Sequence, residues 1–270
     1  MLAQQRQQAI HEMVQRLGGV RVGDLVREFG VSDITIRRDL EALADKGLVA
    51  KVHGGATALN RHATDEPGFA VKSVRQRLEK QAIAAQAAAL VQPGTAIALS
   101  AGTTTRVLAQ LLQDVRDLTV VTNSIPVAEV FYKAQRPDQN LVLTGGIRTP
   151  SDALVGPFAV SAIRALNVDV LFLGTHGFSL QAGFTTPNLL EAETDRALVA
   201  AARSLVVCAD HTKWELVGIS TIAPLREANV LITDSGLPGP ARNRLSSEVG
   251  ELLVAEVAAV RGAPDPPTAA

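Results

Sequence analysis

A chain of 270 residues with 47 % hydrophobic and 20 % charged side chains suits two domains, or one large one, with ordinary apolar cores. A net charge of −1 excludes a uniformly basic nucleic-acid binder, and a single cysteine, Cys208, excludes an internal disulfide framework and a cysteine-based zinc finger. The densest apolar stretch, Ala82 to Val91, stops at Pro93, and MLAQQRQQAI lacks the apolar core of a signal peptide, so a cytoplasmic protein with no membrane partner is expected.

Aromatic residues make up only 3 %, so the cores must be built from Ala, Val, Leu and Ile. Residues 1–61 hold nine Lys/Arg against seven Asp/Glu, a charge of +2, which leaves −3 for the rest. So small an asymmetry does not assign nucleic-acid binding. Pattern says more. Ile10, Met13, Val14 and Leu17 fall at i, i+3, i+4 and i+7, the apolar face of a helix that ends at Gly18-Gly19. Val22, Leu25, Val26 and Phe29 repeat that spacing, with Gly30 as C-cap. Ser32 reads as the N-cap of a third helix whose buried stripe is Ile36, Leu40 and Leu43. Two helices joined by so short a Gly-containing turn form a helix-turn-helix unit. Leu48 to Val52 then reads as a strand and His53-Gly54-Gly55 as a sharp turn, which together would make a wing.

At 100° per residue, Arg38, Ile34 and Glu41 point away from the buried stripe, flanked by Arg37 and Thr35. Adjacent arginines suit phosphate and guanine contacts. Thr35 suits a phosphate or a thymine methyl, and an outward Ile34 also suits a thymine methyl. Taken alone, Arg37 and Arg38 would serve equally as surface ion pairs with Glu41 and Asp39.

The stretch Val20 to Ala56, VRVGDLVREFGVSDITIRRDLEALADKGLVAKVHGGA, preceded by Arg6 and Ile10, resembles the N-terminal signature of the DeoR family of repressors. VS-x-x-TIRRDL at Val31 to Leu40 and HGGA at His53 to Ala56 carry the likeness. The resemblance implies that Thr35, Arg37 and Arg38 sit on a recognition helix and that Lys51 and His53 belong to the wing. With Ser32, Ile34 and Gly54 they form the expected DNA-contact set of a winged helix-turn-helix domain at residues 1–58.

Asn60 to Phe69 is polar and aperiodic and reads as a linker. Val71 to Val91 reads as helical. Residues 59–79 are therefore expected to hold the linker and the start of a connecting helix, and 80–257 the second domain. Residues 258–270, which include GAPDPPTAA, are expected to be a disordered tail. Short apolar runs alternate with helical stretches in the second domain: Thr95–Ser100, Leu118–Thr122, Asn140–Thr144, Val168–Gly174, Ser204–Ala209 and Asn229–Thr233. This is the pattern of a parallel α/β sheet, in which ligands bind at the C-terminal strand ends.

Polar clusters follow several of those runs. Gly102-Thr103-Thr104-Thr105 opens a helix, where amides and hydroxyls make an anion site; a ligand-free threonine cap is the alternative. Thr122-Asn123-Ser124 ends the next run. Gly145-Gly146 follows another, as a ligand loop or a simple turn. Gly174-Thr175-His176-Gly177 precedes GFTTPNLLEAETDRAL, which contains Glu191, and Asp210-His211-Thr212-Lys213 closes the series. Lys213 is either a phosphate partner or a solvated loop lysine, and His176 a ligand contact or a loop histidine.

These segments resemble the C-terminal domain of the same family from about Lys80 to Asp234. The markers are AGTTT, TN, GG, GFTT-x-N-x-x-EA and D-x-x-K. The resemblance implies a fold similar to ribose-phosphate isomerase and glucosamine-phosphate isomerase, and a phosphorylated sugar or polyol as ligand. Gly102 to Thr105 would hold the phosphate, with Lys213 beside the ligand. Asn123, Ser124, Gly145, His176, Glu191 and Asp210 complete the expected ligand set. Ser100 stands where many relatives are acidic, and His176 where many carry Asp, so the resemblance does not name the effector. The implied protein is a repressor of a carbohydrate-catabolism operon, with operator DNA and a sugar phosphate as partners. It is a homodimer or homotetramer, without cofactor or metal. The rival is a sugar-phosphate isomerase using Glu191 or Asp210 as base.

Overall fold

The computed structural model describes residues 2–17, 19–52, 54–57 and 68–257. The chain divides into two compact units, residues 1–62 and 63–270. His53, most of the expected linker and the tail from residue 258 lie outside the described residues.

In the first unit, α1 (Ala3–Leu17) leads into β1 (Gly19–Arg21), α2 (Val22–Phe29) and α3 (Asp33–Asp45), then β2 (Ala50–Val52) and β3 (Gly55–Thr57). Ile10, Val14, Leu25, Ile36, Leu40 and Leu43 are buried in one core. Gly30 ends α2 in the left-handed region at φ 63°, its N–H donating to the Val26 carbonyl. The Ser32 hydroxyl then caps α3 by accepting from the Thr35 N–H at 3.2 Å. The strands form an antiparallel sheet in the order β1-β3-β2. β1 is not evident in the sequence, because three residues are too few for a period of two to register. Its pairing explains Gly55: a Cβ there would lie 2.1 Å from the Val20 carbonyl oxygen.

The second unit opens with α4 (Phe69–Val74) and α5 (Arg77–Ala88). The single helix expected over Val71–Val91 is thus interrupted. Gln76 adopts φ 49°, and the Lys80 ammonium donates to the Lys72 and Arg75 carbonyls at 2.5 and 2.6 Å, satisfying acceptors at the end of α4. There follow β4 (Ala96–Leu99), α6 (Thr103–Leu111), β5 (Thr119–Thr122), α7 (Ile125–Ala134), β6 (Asn140–Leu143), β7 (Ile147–Arg148), β8 (Leu154–Val155), α8 (Pro157–Arg164), β9 (Val168–Gly174), β10 (Gly177–Ser179), β11 (Gly183–Thr186) and α9 (Leu189–Ala201). The unit ends with β12 (Ala202–Cys208), a 3₁₀ turn (His211–Lys213), β13 (Ser220–Ala223), β14 (Val230–Asp234), α10 (Gly239–Leu245) and β15 (Glu251–Ala255).

Seven strands form one parallel sheet in the order β15-β14-β12-β9-β4-β5-β6. Across the central strands both faces are buried, and successive residues alternate between them. Ile97, Leu99, Phe172 and Val206 pack with α5, α6 and α7, whereas Ala98, Leu171, Leu173 and Val207 pack with α8, α9 and α10. From β4 the chain proceeds outward through β5 and β6, then returns to place β9 on β4's other side. The β4–β9 boundary is therefore the topological switch point, where loops diverge and a cleft opens.

Gly145-Gly146 links strands of different sheets: β6 belongs to the large sheet, and β7 pairs with β8. Gly146, at φ 126°, is needed because a Cβ would lie 2.6 Å from the Val155 carbonyl oxygen. The GFTT segment is β11, the middle strand of the small antiparallel sheet β10-β11-β13.

Candidate functional site

The outer face of α3 holds the expected DNA-contact residues of the first unit. Ser32, Ile34, Arg37 and Arg38 are exposed, Ile34 by 65 %, on the side opposite Ile36 and Leu40. Thr35 is half-buried, its hydroxyl 2.9 Å from that of Ser32. The expected alternative ion pairs do not form as drawn. Asp39 is buried and accepts from Arg6 Nε at 2.6 Å and from Gln7 Nε2 at 3.0 Å, so it anchors α3 to α1. Glu41 pairs with Lys51 of the wing strand at 3.0 Å. Arg37 pairs with Asp33 one turn before it. Arg38 has no ion-pair partner among the described residues. Gly54, exposed at φ 81°, makes the wing turn.

In the second unit a pocket lies at the C-terminal ends of β4, β9 and β12, at the switch point. Its lining includes Gly102, Thr103, Thr104, His176, Glu191, Asp210 and Lys213 from the expected ligand set. The N-cap of α6 is Gly102, which brings no side chain to cap the first turn, and this favours an anion at its amides. Four expected residues do not line it. Thr105 donates its hydroxyl back to the Ser100 and Gly102 carbonyls. Asn123 accepts from the Ala101 N–H at 2.9 Å and donates to the Leu154 carbonyl, shaping the β4 loop from behind. Ser124 caps α7. Gly145 sits in the left-handed link between β6 and β7. Ser100 is also structural: its hydroxyl accepts from the Gly174 N–H at 2.9 Å and ties β4 to β9.

The pocket contains residues that the sequence did not single out: Phe69 and Lys72 on α4, Lys80 on α5, Ser151, Thr186 and Asp195. Lys72, Lys80 and Lys213 bring three ammonium groups to the same lining. Lys80 is buried, and its pKa is pushed down to about 8, mainly by desolvation. Asp210 opposes that shift, while Lys213, Arg75 and Lys72 add to it. Like charges held this close favour an arriving anion. The same lining holds carboxyl groups. Glu191 accepts from the Thr149 hydroxyl at 2.7 Å and the Thr186 hydroxyl at 3.3 Å. Asp210 caps the turn that presents Lys213, accepting from the Thr212 N–H at 3.1 Å. Burial, reinforced by Glu191, raises the pKa of Asp195 well above the usual carboxyl value. Among the described residues no cluster of His, Cys, Asp and Glu could hold a metal ion, and no helix is long and apolar enough to cross a membrane.

A winged helix-turn-helix followed by a parallel α/β domain with a charged switch-point pocket defines a class of DNA-binding regulators with a second, pocketed domain. Residues 6–62 match the DeoR-like helix-turn-helix domain and residues 75–235 the DeoR C terminal sensor domain. The chain belongs to the DeoR family of helix-turn-helix transcriptional regulators. It is 37 % identical to the uncharacterized HTH-type transcriptional regulator YgbI of Escherichia coli K12, over 95 % of this chain and 99 % of that protein. It is 31 % identical to a putative aga operon transcriptional repressor of Escherichia coli O157:H7, over 93 % of each. A D-ribose-5-phosphate isomerase solved with phospho-erythronic acid superposes with TM-score 0.38 and 15 % identity, over 50 % of this chain and 52 % of that one.

Proposed function

We propose that this protein represses a carbohydrate-catabolism operon and is released from its DNA operator by a phosphorylated sugar or polyol bound in the switch-point pocket. The observation that carries the reading is the convergence of Lys72, Lys80 and Lys213 with the first-turn amides of α6 and with carboxyl groups in one pocket lining. A phosphate satisfies the first set and sugar hydroxyls the second. Ser32, Ile34, Thr35, Arg37, Arg38, Lys51 and Gly54 present the DNA-contact surface, with His53 added from the sequence. The repressor name of the aga-operon relative supports the sign of regulation.

The protein is a regulator rather than an isomerase. Glu191 is held by two threonine hydroxyls and Asp210 by its own turn, which leaves neither poised as a base. It acts in the cytoplasm as a homodimer or homotetramer, reading repeated half-sites. Release follows from α4, the first described helix after the linker, whose Phe69 and Lys72 line the pocket. Two sites coupled in this way make the switch allosteric.

The test is a DNA-binding titration of the full chain against the region upstream of its own operon. Arg38→Ala is expected to weaken binding across sequences and to lower the salt slope by about 1 per lost phosphate contact. Arg37→Ala costs less, because Asp33 already engages that guanidinium. Undiminished binding by the Arg37→Ala/Arg38→Ala double variant would overturn the DNA-contact assignment. Turnover of ribose 5-phosphate or glucosamine 6-phosphate would overturn the regulator reading.

A further inference from the structure

Asp195 is the anomaly of the pocket. It is 9 % exposed and lines the cavity one helical turn beyond Glu191 on α9. Among the described residues its carboxyl group makes no hydrogen bond and no ion pair. Its neighbours are otherwise satisfied. Both Glu191 oxygens accept from threonine hydroxyls, and Asp210 caps its turn. The side chain is nine-tenths buried and lines the pocket, so a partner for its carboxyl oxygens is one that enters the pocket.

The surroundings narrow what the partner is. Burial, and then the adjacent Glu191 carboxylate, hold Asp195 toward its neutral form. A neutral carboxyl offers one O–H donor and acceptor lone pairs, which matches a hydroxyl group. An anionic substituent would be repelled by Glu191. The anion-favouring residues lie elsewhere in the lining, at Lys72, Lys80, Lys213 and the α6 amides.

We propose that Asp195 is the specificity-determining residue of this pocket, bonding a hydroxyl of a polyhydroxy ligand whose anionic group lies against Lys72, Lys80 and Lys213. The inference rests on the sugar-phosphate reading above and deepens it: the lysines give affinity for any phosphate, and Asp195 selects among organic phosphates. A polar pocket group built to meet a hydroxyl discriminates strongly against ligands that lack it.

The experiment uses the full chain, with calorimetric titration and thermal melting. The probes are inorganic phosphate, glycerol 3-phosphate, ribose 5-phosphate, glucose 6-phosphate and glucosamine 6-phosphate, tested on wild type, Asp195→Asn and Asp195→Leu. At least one hydroxylated phosphate is expected to bind tenfold or more tightly than inorganic phosphate. Asp195→Leu should abolish that advantage while leaving inorganic phosphate binding unchanged, and Asp195→Asn, uncharged and hydrogen-bonding, should keep most of it. Without ligand, Asp195→Leu should melt at or above the wild-type temperature, because it removes a carboxyl group that has no protein partner among the described residues; a purely structural residue would show a drop, and that drop would overturn the proposal. Phosphates that bind equally well to wild type and Asp195→Leu sink the inference and leave the repressor reading standing. A preference for glucosamine 6-phosphate over glucose 6-phosphate that Asp195→Asn abolishes overturns it in favour of an ammonium ligand. Failure of every phosphate to bind removes the sugar-phosphate reading itself.

Discussion

Asp39 and His211 show how single side chains take on roles that their types do not announce. Asp39 lies on the same helix as the exposed arginines yet faces inward, where Arg6 and Gln7 hold it. Removing one partner of a buried ion pair leaves the other charge uncompensated, at a cost of about 3 kcal/mol or more. Asp39→Ala is therefore expected to unfold the first unit at markedly lower denaturant, a loss read directly in a urea titration. Its effect on DNA binding would be indirect. His211 Nδ1 lies 2.7 Å from Asp234 Oδ2. The hydrogen bond to Asp234 raises the histidine's pKa above its usual 6.5 despite partial burial. Burial pushes Asp234 up, but His211 and the His211 and Gly236 amides outweigh it, and its pKa falls below 3.8. The histidine's contribution is thus complete below about pH 6.5 and disappears as pH rises through its folded pKa; the aspartate's is complete above about pH 4 and disappears as pH falls through its own. Melting curves should show the widest gap between wild type and His211→Gln near pH 5–6, narrowing above neutrality. A gap that widens with rising pH would exclude this pairing as the source.

At the scale of elements, the break between α4 and α5 is the feature that shapes the pocket. Periodicity over Val71–Val91 reads as one helix, because local spacing carries no information about a lysine reaching back to two carbonyls. Lys80 supplies those bonds, and the interruption turns Lys72 toward Ser151, whose hydroxyl it meets at 2.5 Å. Lys80→Met is expected to raise hydrogen exchange selectively in Phe69–Val74, with the sheet amides still protected, and to weaken phosphate binding. Uniform loss of protection would mean that α4 has no separate dependence on Lys80. The large strands were legible because each is an apolar run bounded by polar turns. The strands β1, β3, β7, β8, β10, β11, β13 and β15 were not, being two to five residues long, too short for a period of two to register, and held by pairings that only the tertiary structure supplies. The helix-turn-helix was legible throughout, since its apolar stripes, its Gly30 C-cap and its Ser32 N-cap are all local signals.

For the molecule as a whole, the β6 edge of the sheet carries exposed apolar side chains. Val142 and Leu143 on β6, Ile147 on β7 and Phe158 at the start of α8 are all exposed. An open edge bearing such residues is a liability in a monomer and suits a symmetric contact. Light scattering of the full chain is expected to give a dimer or tetramer, and Phe158→Asp with Ile147→Asp to give a smaller species that binds DNA more weakly. A monomeric wild type would remove the oligomer from the proposed mechanism. The sequence by itself determined the two-domain order, the winged helix-turn-helix, the parallel α/β class and the strand-end loops, because these rest on periodicity and turn chemistry within a few residues. Only the tertiary structure decided which loops meet. It gathered Gly102 to Thr104, His176, Glu191, Asp210 and Lys213 into one lining, and it turned Asn123, Ser124 and Thr105 to structural work. It also brought in Lys72, Lys80 and Asp195. Which side chains share a cavity is set by strand order and helix breaks, and these depend on contacts between residues far apart in the chain.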